Sequence, residues 1–176
     1  LGGELITGDA PDEGAVVWAT GAAGLAALSQ SLGRKAGDGV KGQAALLRHD
    51  ARDAPQLYIG SQHIVPHADG TVAIGSTSET TWTDPETTDS QLDDLIGKAG
   101  AALPCLRDAP VLERWAGIRP RAASKAPLLD AWPGRPGHFI ANGGFKTGFG
   151  MAPKVAQVMA DLVLEGRDTI PAGFRL

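Results

Sequence analysis

A planar guanidinium can grip a carboxylate through parallel N–H···O bonds and so set both its position and its orientation. The stretch "ERWAGIRPRAA", residues 113–123, offers such a group in Arg119, which ends an apolar run directly before a proline. Spacing alone leaves a plainer role open, because a strand-end arginine also reaches solvent or pairs with an acid such as Glu113 or Asp130. A different chemistry lies in "NGGFKTGFGMAPK", residues 142–154, whose glycines fall between an expected strand and an expected helix. There backbone N–H groups and the positive end of a helix converge on one point, which attracts a negatively polarised ligand. Taken plainly, the same loop is a tight turn that only joins its neighbours.

Other chemistries find less support. His49, His63, His67 and His138 show no metal-ligand spacing with Cys105, and the carboxylates of "DPETTD" suit a solvated loop. No nucleophile elbow surrounds the hydroxyls of "GSTSE". A literal G-x-G-x-x-G occurs at Gly37, Gly39 and Gly42, but it follows an expected helix and precedes an expected strand. A dinucleotide needs the reverse order, so this run reads as a connecting loop.

The elements that must position Arg119 and the glycine loop follow from periodicity. Residues 5–7 are strand-like and are followed by turn residues, and residues 15–19 read as a short buried strand. Gly21 permits a tight turn, and Leu25, Leu28 and Leu32 stripe one face of a helix that stops at Gly33. Strands are expected from Val40 and from Gln56, and "HIVPHADGTVAIGST" from His63 predicts a hairpin at Asp69-Gly70. A second helix has Thr88 and Gln91 as a capping box, Leu92, Leu95, Ile96, Ala99 and Leu103 on one face, and Pro104 as its stop. Gly97 and Gly100 weaken it. From residue 111 to 119 a strand places Val111, Trp115, Gly117 and Arg119 on one side and Leu112, Ala116 and Ile118 on the other. After a connection through "DAWPGRPG", the strand "HFIA" leads to the glycine loop. A last helix follows, with Pro153 in its first turn, Val155, Val158, Met159, Leu162 and Val163 on its apolar face, and Gly166 at its end.

Composition narrows the partners. The 176 residues are 43% hydrophobic, enough to bury a sizeable core, which predicts one domain or parts of two. A net charge of −4 with interspersed signs argues against nucleic acid and anionic membrane as partners. The single Cys105 cannot form an internal disulfide, and no membrane span or leader is evident, which predicts a reducing, cytoplasmic setting.

In order, "VVWATGAAG", "VKGQ", "HIVPHADGTVAIGST", "WAGIRPRA" and "ANGGFKTGFGMAP" with a final amphipathic helix resemble the C-terminal half of the FAD-dependent D-amino-acid oxidase and glycine oxidase family. The resemblance implies a flavoenzyme that oxidises the C–N bond of an amino acid or related amine, with hydride passing to flavin N5 and the imine hydrolysed to a keto acid and ammonia. Oxygen or another electron acceptor then takes the electrons. The implied fold is α+β, a mainly antiparallel substrate-domain sheet with flanking helices plus returning segments of a Rossmann-like FAD domain. On that pattern residues 1–39 belong to the FAD-binding domain, 40–120 to the substrate-binding domain, and 121–176 return to the FAD-binding domain.

Carried over by position, Arg119 becomes the substrate-carboxylate anchor, with Lys146 a second basic residue and His63 at the place of an aromatic substrate contact. Gly144, Phe145, Lys146, Thr147, Gly148, Phe149 and Gly150 would face the flavin, and Ala19, Thr20 and Gly21 the dinucleotide. The context of Cys105, "LPCLRD", implies noncovalent FAD. The family's opening strand, glycine loop and helix have no counterpart before residue 15, so the expectation is a truncated chain. The alternative is a folded, catalytically silent carboxylate-binding or interaction domain, and a homo-oligomer is compatible with either.

Overall fold

The computed structural model describes residues 3–8 and 11–176. It is a mixed α+β fold in two compact units, one holding the chain up to Asp38 together with Pro120–Leu176, the other Gly39–Arg119. No helix of the described residues is long and apolar enough to cross a membrane.

In the first unit, β1 (Val16–Trp18), β7 (Leu128–Ala131) and β8 (His138–Asn142) form a sheet in the order β1-β8-β7. The β1–β8 pair is parallel and the β7–β8 pair antiparallel. Alternation sends Leu128 and Ile140 to one face, where they pack with Leu25 and Leu28 of α1 (Gly21–Leu32). Leu129, Phe139 and Ala141 go to the other, against Val155, Val158 and Met159 of α3 (Gly148–Glu165). Gly33 ends α1 and Gly166 ends α3, both left-handed with φ of 62° and 65°, where a residue with a Cβ would be strained.

The second unit is built on the sheet β3-β4-β5-β2-β6, from β2 (Gly37–Arg48), β3 (Leu57–Ile59), β4 (Gln62–Pro66), β5 (Thr71–Gly75) and β6 (Val111–Ala122). The pairs β3–β4, β4–β5 and β5–β2 are antiparallel. Helix α2 (Ser90–Ala102) covers one face, its Leu92, Leu95 and Ala99 packed on Ala45, Leu47, Ile64, Val72 and Ile74. The hairpin expected at Asp69-Gly70 is present: Gly70 has φ 82°, and His67 N donates to Thr71 O at 2.9 Å.

Several expectations need correction. Residues 5–7 join no strand, and Leu5 is 92% exposed, because an apolar run without a neighbour to pair gains nothing from extension. Of the turn expected after them, residues 9 and 10 lie outside the described ones. As an edge strand β1 is half-exposed, not buried. Gly37 and Gly39 belong to β2 and not to a loop, and a Cβ on Gly37 would lie 2.6 Å from Arg121 O, so the glycine serves close approach. Helix α2 is capped by Asp89, not Thr88; its carboxylate accepts from Gln91 N at 2.9 Å. Gly100 has a packing reason, since a Cβ there would come within 3.0 Å of Arg107 Cα. Strand β6 runs past Arg119 to Ala122, carrying Pro120 on a sheet edge where proline is tolerated. Strand β7 takes in Asp130 and Ala131, the opening of the "DAWPGRPG" stretch expected as a connection, and α3 begins early enough that Pro153 lies inside it.

Candidate functional site

In the second unit, the strand geometry separates two faces of the sheet. Arg114 reaches Asp93 of α2 at 2.6 Å, which assigns the even positions of β6 to the helix-covered face. Trp115, Gly117 and Arg119 therefore share the open face, as the alternation predicted. The guanidinium of Arg119 lies over Gly42 of β2, so closely that a Cβ on residue 42 would overlap it. Its Nη2 donates to Ser76 Oγ and its Nη1 to Thr77 O at 3.5 Å. Among the described residues no carboxylate forms an ion pair with it. Asp130 is taken by Arg175 at 3.3 Å, and Glu79 lies near enough to act on Arg119 through its charge without bonding it. Burial lowers the Arg119 pKa, and the charge of Glu79 opposes that shift. An arginine stays protonated through such a shift, so the result is a partly desolvated, unpaired cation.

His63 stands on the same open face. It pairs in register with Gly75, which pairs with Ala44, two residues along from Gly42. Its ring sits 4.6 Å from that of Tyr58, and its Nδ1 is 3.0 Å from Gln56 Nε2. Sequence reasoning missed Ser76 and Thr77 as partners of Arg119, because their proximity depends on the strand order β5-β2-β6.

In the first unit, a cavity of about 440 Å³ opens where β8 passes into α3. Ala19, Gly21, Gly144, Phe145 and Gly148 line it, with Met151 and Val155 of α3 behind them. Thr20, Lys146, Thr147, Phe149 and Gly150 do not line it, and Phe149 is fully exposed. The exposed Lys146 holds its ammonium 5.6 Å from the centre of the Phe145 ring, and Arg121 holds its guanidinium at the same distance. No side chain caps the N-terminus of α3 and no acid stands in its first turn, so its positive end is uncompensated.

Asn142 joins the two stretches that the sequence treated separately. Its Nδ2 donates to Gly21 O at 2.9 Å, and its Oδ1 accepts from Gly143 N at 2.7 Å. An asparagine before a glycine pair was the available signal. Gly143 has φ 74°, and a Cβ there would lie 2.9 Å from Ala122 N, so glycine is required where the loop crosses β6.

Comparison with known proteins bears on the family and the fold. Residues 2–162 match the sequence model of the DAO family, described as FAD dependent oxidoreductase. A glycine oxidase of Pseudomonas aeruginosa is 33% identical over 132 residues, covering 74% of this chain and 36% of that protein. The crystal structure of glycine oxidase from Geobacillus kaustophilus superposes with a TM-score of 0.80 at 28% identity, over 92% of this chain and 45% of the other. Iminodiacetate oxidase from Chelativorans shares the fold, with a TM-score of 0.80 at 23% identity. The chain thus spans about a third of the length of that curated relative and under half of these solved chains. The match to the family model covers most of the chain, and the fold is shared as well: the chain belongs to the DAO family of FAD-dependent oxidoreductases.

Proposed function

We propose that this chain carries the substrate-carboxylate anchor and part of the cofactor site of a glycine-oxidase-like enzyme that oxidises the C–N bond of an amino acid or related amine. The observation that carries the reading is Arg119, a half-buried guanidinium with no ion-pair partner among the described residues. Five N–H donors in a fixed plane suit a carboxylate, and the hydrogen bonds to Ser76 and Thr77 leave others free. Arg119 would bind the carboxylate and orient the amine-bearing carbon, which lowers the barrier through alignment. His63, held by Gln56 and Tyr58 on the same face, would bound the substrate's side.

The residues present fit part of FAD. Gly21 and Gly148 would each meet nothing within 4 Å if they bore a Cβ, leaving open backbone at the cavity rim. The uncompensated end of α3, Arg121 and Lys146 favour negative charge there. Ala19, Gly21, Gly144, Phe145 and Gly148 would hold the cofactor, with Thr20, Lys146, Thr147, Phe149 and Gly150 forming the outer loop. When bound, FAD supplies the two-electron acceptor for C–N oxidation, with oxygen or another acceptor taking the electrons afterwards. The only cysteine, Cys105, lies in the other unit, which supports noncovalent binding.

A second reading, a folded domain that binds carboxylates without catalysis, draws on the same Arg119 guanidinium and needs no flavin. Adding FAD to the purified chain separates the two. Retained visible absorbance that bleaches with glycine supports the enzyme reading; a chain that keeps no flavin yet binds glycine supports the silent domain.

A further inference from the structure

We infer that Ala44 and Gly75 form the floor on which a substrate side chain stands between Arg119 and His63, and that this floor selects α-amino acids with a short apolar side chain. The inference rests on Arg119 being the carboxylate anchor. Strand pairing sets His63, Gly75 and Ala44 side by side in one row across β4, β5 and β2. The adjacent row, Ile64, Ile74 and Ala45, is buried beneath α2, so alternation turns the His63 row to the open face. Gly75 has a packing reason to lack a side chain there: a Cβ on it would lie 2.9 Å from the Cβ of Ala44. A single methyl, that of Ala44, is thus all that this row carries on β5 and β2.

The guanidinium of Arg119 stands beside this gap. It lies over Gly42, two residues from Ala44 on the same face of β2, and its Nη2 bonds Ser76, the residue after Gly75. Two residues along a strand span about 6.7 Å, and neighbouring strands lie about 4.8 Å apart. A carboxylate held by the guanidinium therefore brings the carbon next to it within reach of the Ala44 methyl, with His63, braced by Tyr58, as the far wall. The next row on the open face is Val65, Ala73 and Leu46, whose side chains are hydrocarbon only. It offers a polar substrate side chain no charge and no hydrogen bond, so burial favours a hydrocarbon one. One row farther, Arg48 pairs with Thr71 and the face turns polar, which sets the limit of length.

The test measures by calorimetry the affinity of the chain for glycine, alanine, 2-aminobutyrate and norvaline, each as the racemate where chiral. Carboxylate and amine are common to all four, so the ratios between them read the floor. Affinity is expected to rise along the series. Ala44→Val thickens the floor and is expected to lower norvaline affinity relative to glycine about tenfold. Ala44→Gly thins it and is expected to move the same ratio the other way, which keeps the test open should Ala44→Val not fold. A series that binds no more tightly than glycine, or a norvaline-to-glycine ratio unchanged in a folded Ala44 variant, overturns the floor and leaves the anchor standing. Arg119→Ala serves as the control. Loss of all four ligands in it is expected; unchanged glycine binding, or no binding of any member by the unaltered chain, overturns the anchor reading and the floor with it.

Discussion

Stripping water from a guanidinium is unfavourable unless other groups replace that water, and among the described residues Arg119 has only a hydroxyl and a carbonyl to do so. A substrate carboxylate would complete the set. Arg119→Ala in the flavin-loaded enzyme should cost about 2–4 kcal/mol in binding or turnover, roughly thirty- to a thousand-fold. Arg119→Lys should recover only part of this, since an ammonium keeps the charge but not the planar fork. Gly42→Ala is a subtler probe, because the new methyl would occupy the place of the guanidinium while leaving β2 free to form. Weaker carboxylate binding with an unchanged thermal midpoint is expected; unchanged binding would mean that the position over Gly42 does not matter. Of these residues only Arg119 was legible in the sequence, through strand alternation and the proline after it. Gly42 sits inside a discarded glycine motif, and Ala44 looks like any small residue of a strand until the sheet sets it against Gly75.

Elements were read best where one periodicity ran uninterrupted. The faces of α1, α2 and α3 and the alternation of β6 follow the sequence because burial of a stripe or a face decides them locally. Strand β7 escaped notice: four residues with Leu128 and Leu129 buried on opposite faces show no alternation, and prolines flank them. The start of α3 was displaced for a related reason. Its first turn is glycine-rich, so helix propensity is lowest where the proposed cofactor contacts are. Gly148 has φ −52° and open space around its Cα, so Gly148→Ala should leave the fold intact and stabilise it by up to ~1 kcal/mol. The same methyl at the cavity rim should weaken flavin retention. A variant that gains thermal stability and still binds FAD as tightly as before would show that this turn does not face the cofactor.

Across the whole molecule, acidity bears unequally on the two units. Asp50, Asp69, Asp84 and Asp89, all in the second unit, have carboxyls held below their ordinary value, whereas among the described residues the first unit has one such group, Asp168. The main causes are hydrogen bonds: from the Arg52 side chain to Asp50, the Thr71 hydroxyl to Asp69, the Glu86 amide to Asp84, the Gln43 side chain to Asp89, and the Arg175 side chain to Asp168. A depressed folded-state pKa means that the unfolded chain binds more protons over that interval, so stability falls as pH drops. Each contribution is in place above the unfolded value of about 3.9 and is lost as pH falls through the lower folded value. Two of the five, Asp50 with Arg52 and Asp168 with Arg175, are exposed ion pairs, so added salt should weaken their share of the effect. Asp89 is the most consequential of them, since it caps α2 and meets Gln43, whose backbone N–H bonds the Thr77 that in turn bonds Arg119. Lowering the pH from 5 to 2 should therefore release amide protection in α2 and residues 76–79 before the β1-β8-β7 sheet, as read by hydrogen exchange with mass spectrometry. Asp89→Asn should lower the protection of α2 at pH 5 and flatten its dependence on acid. Simultaneous loss of protection in both units, or an Asp89→Asn variant with an unaltered acid profile, would remove Asp89 as the point where acidity reaches the segment that bonds Arg119.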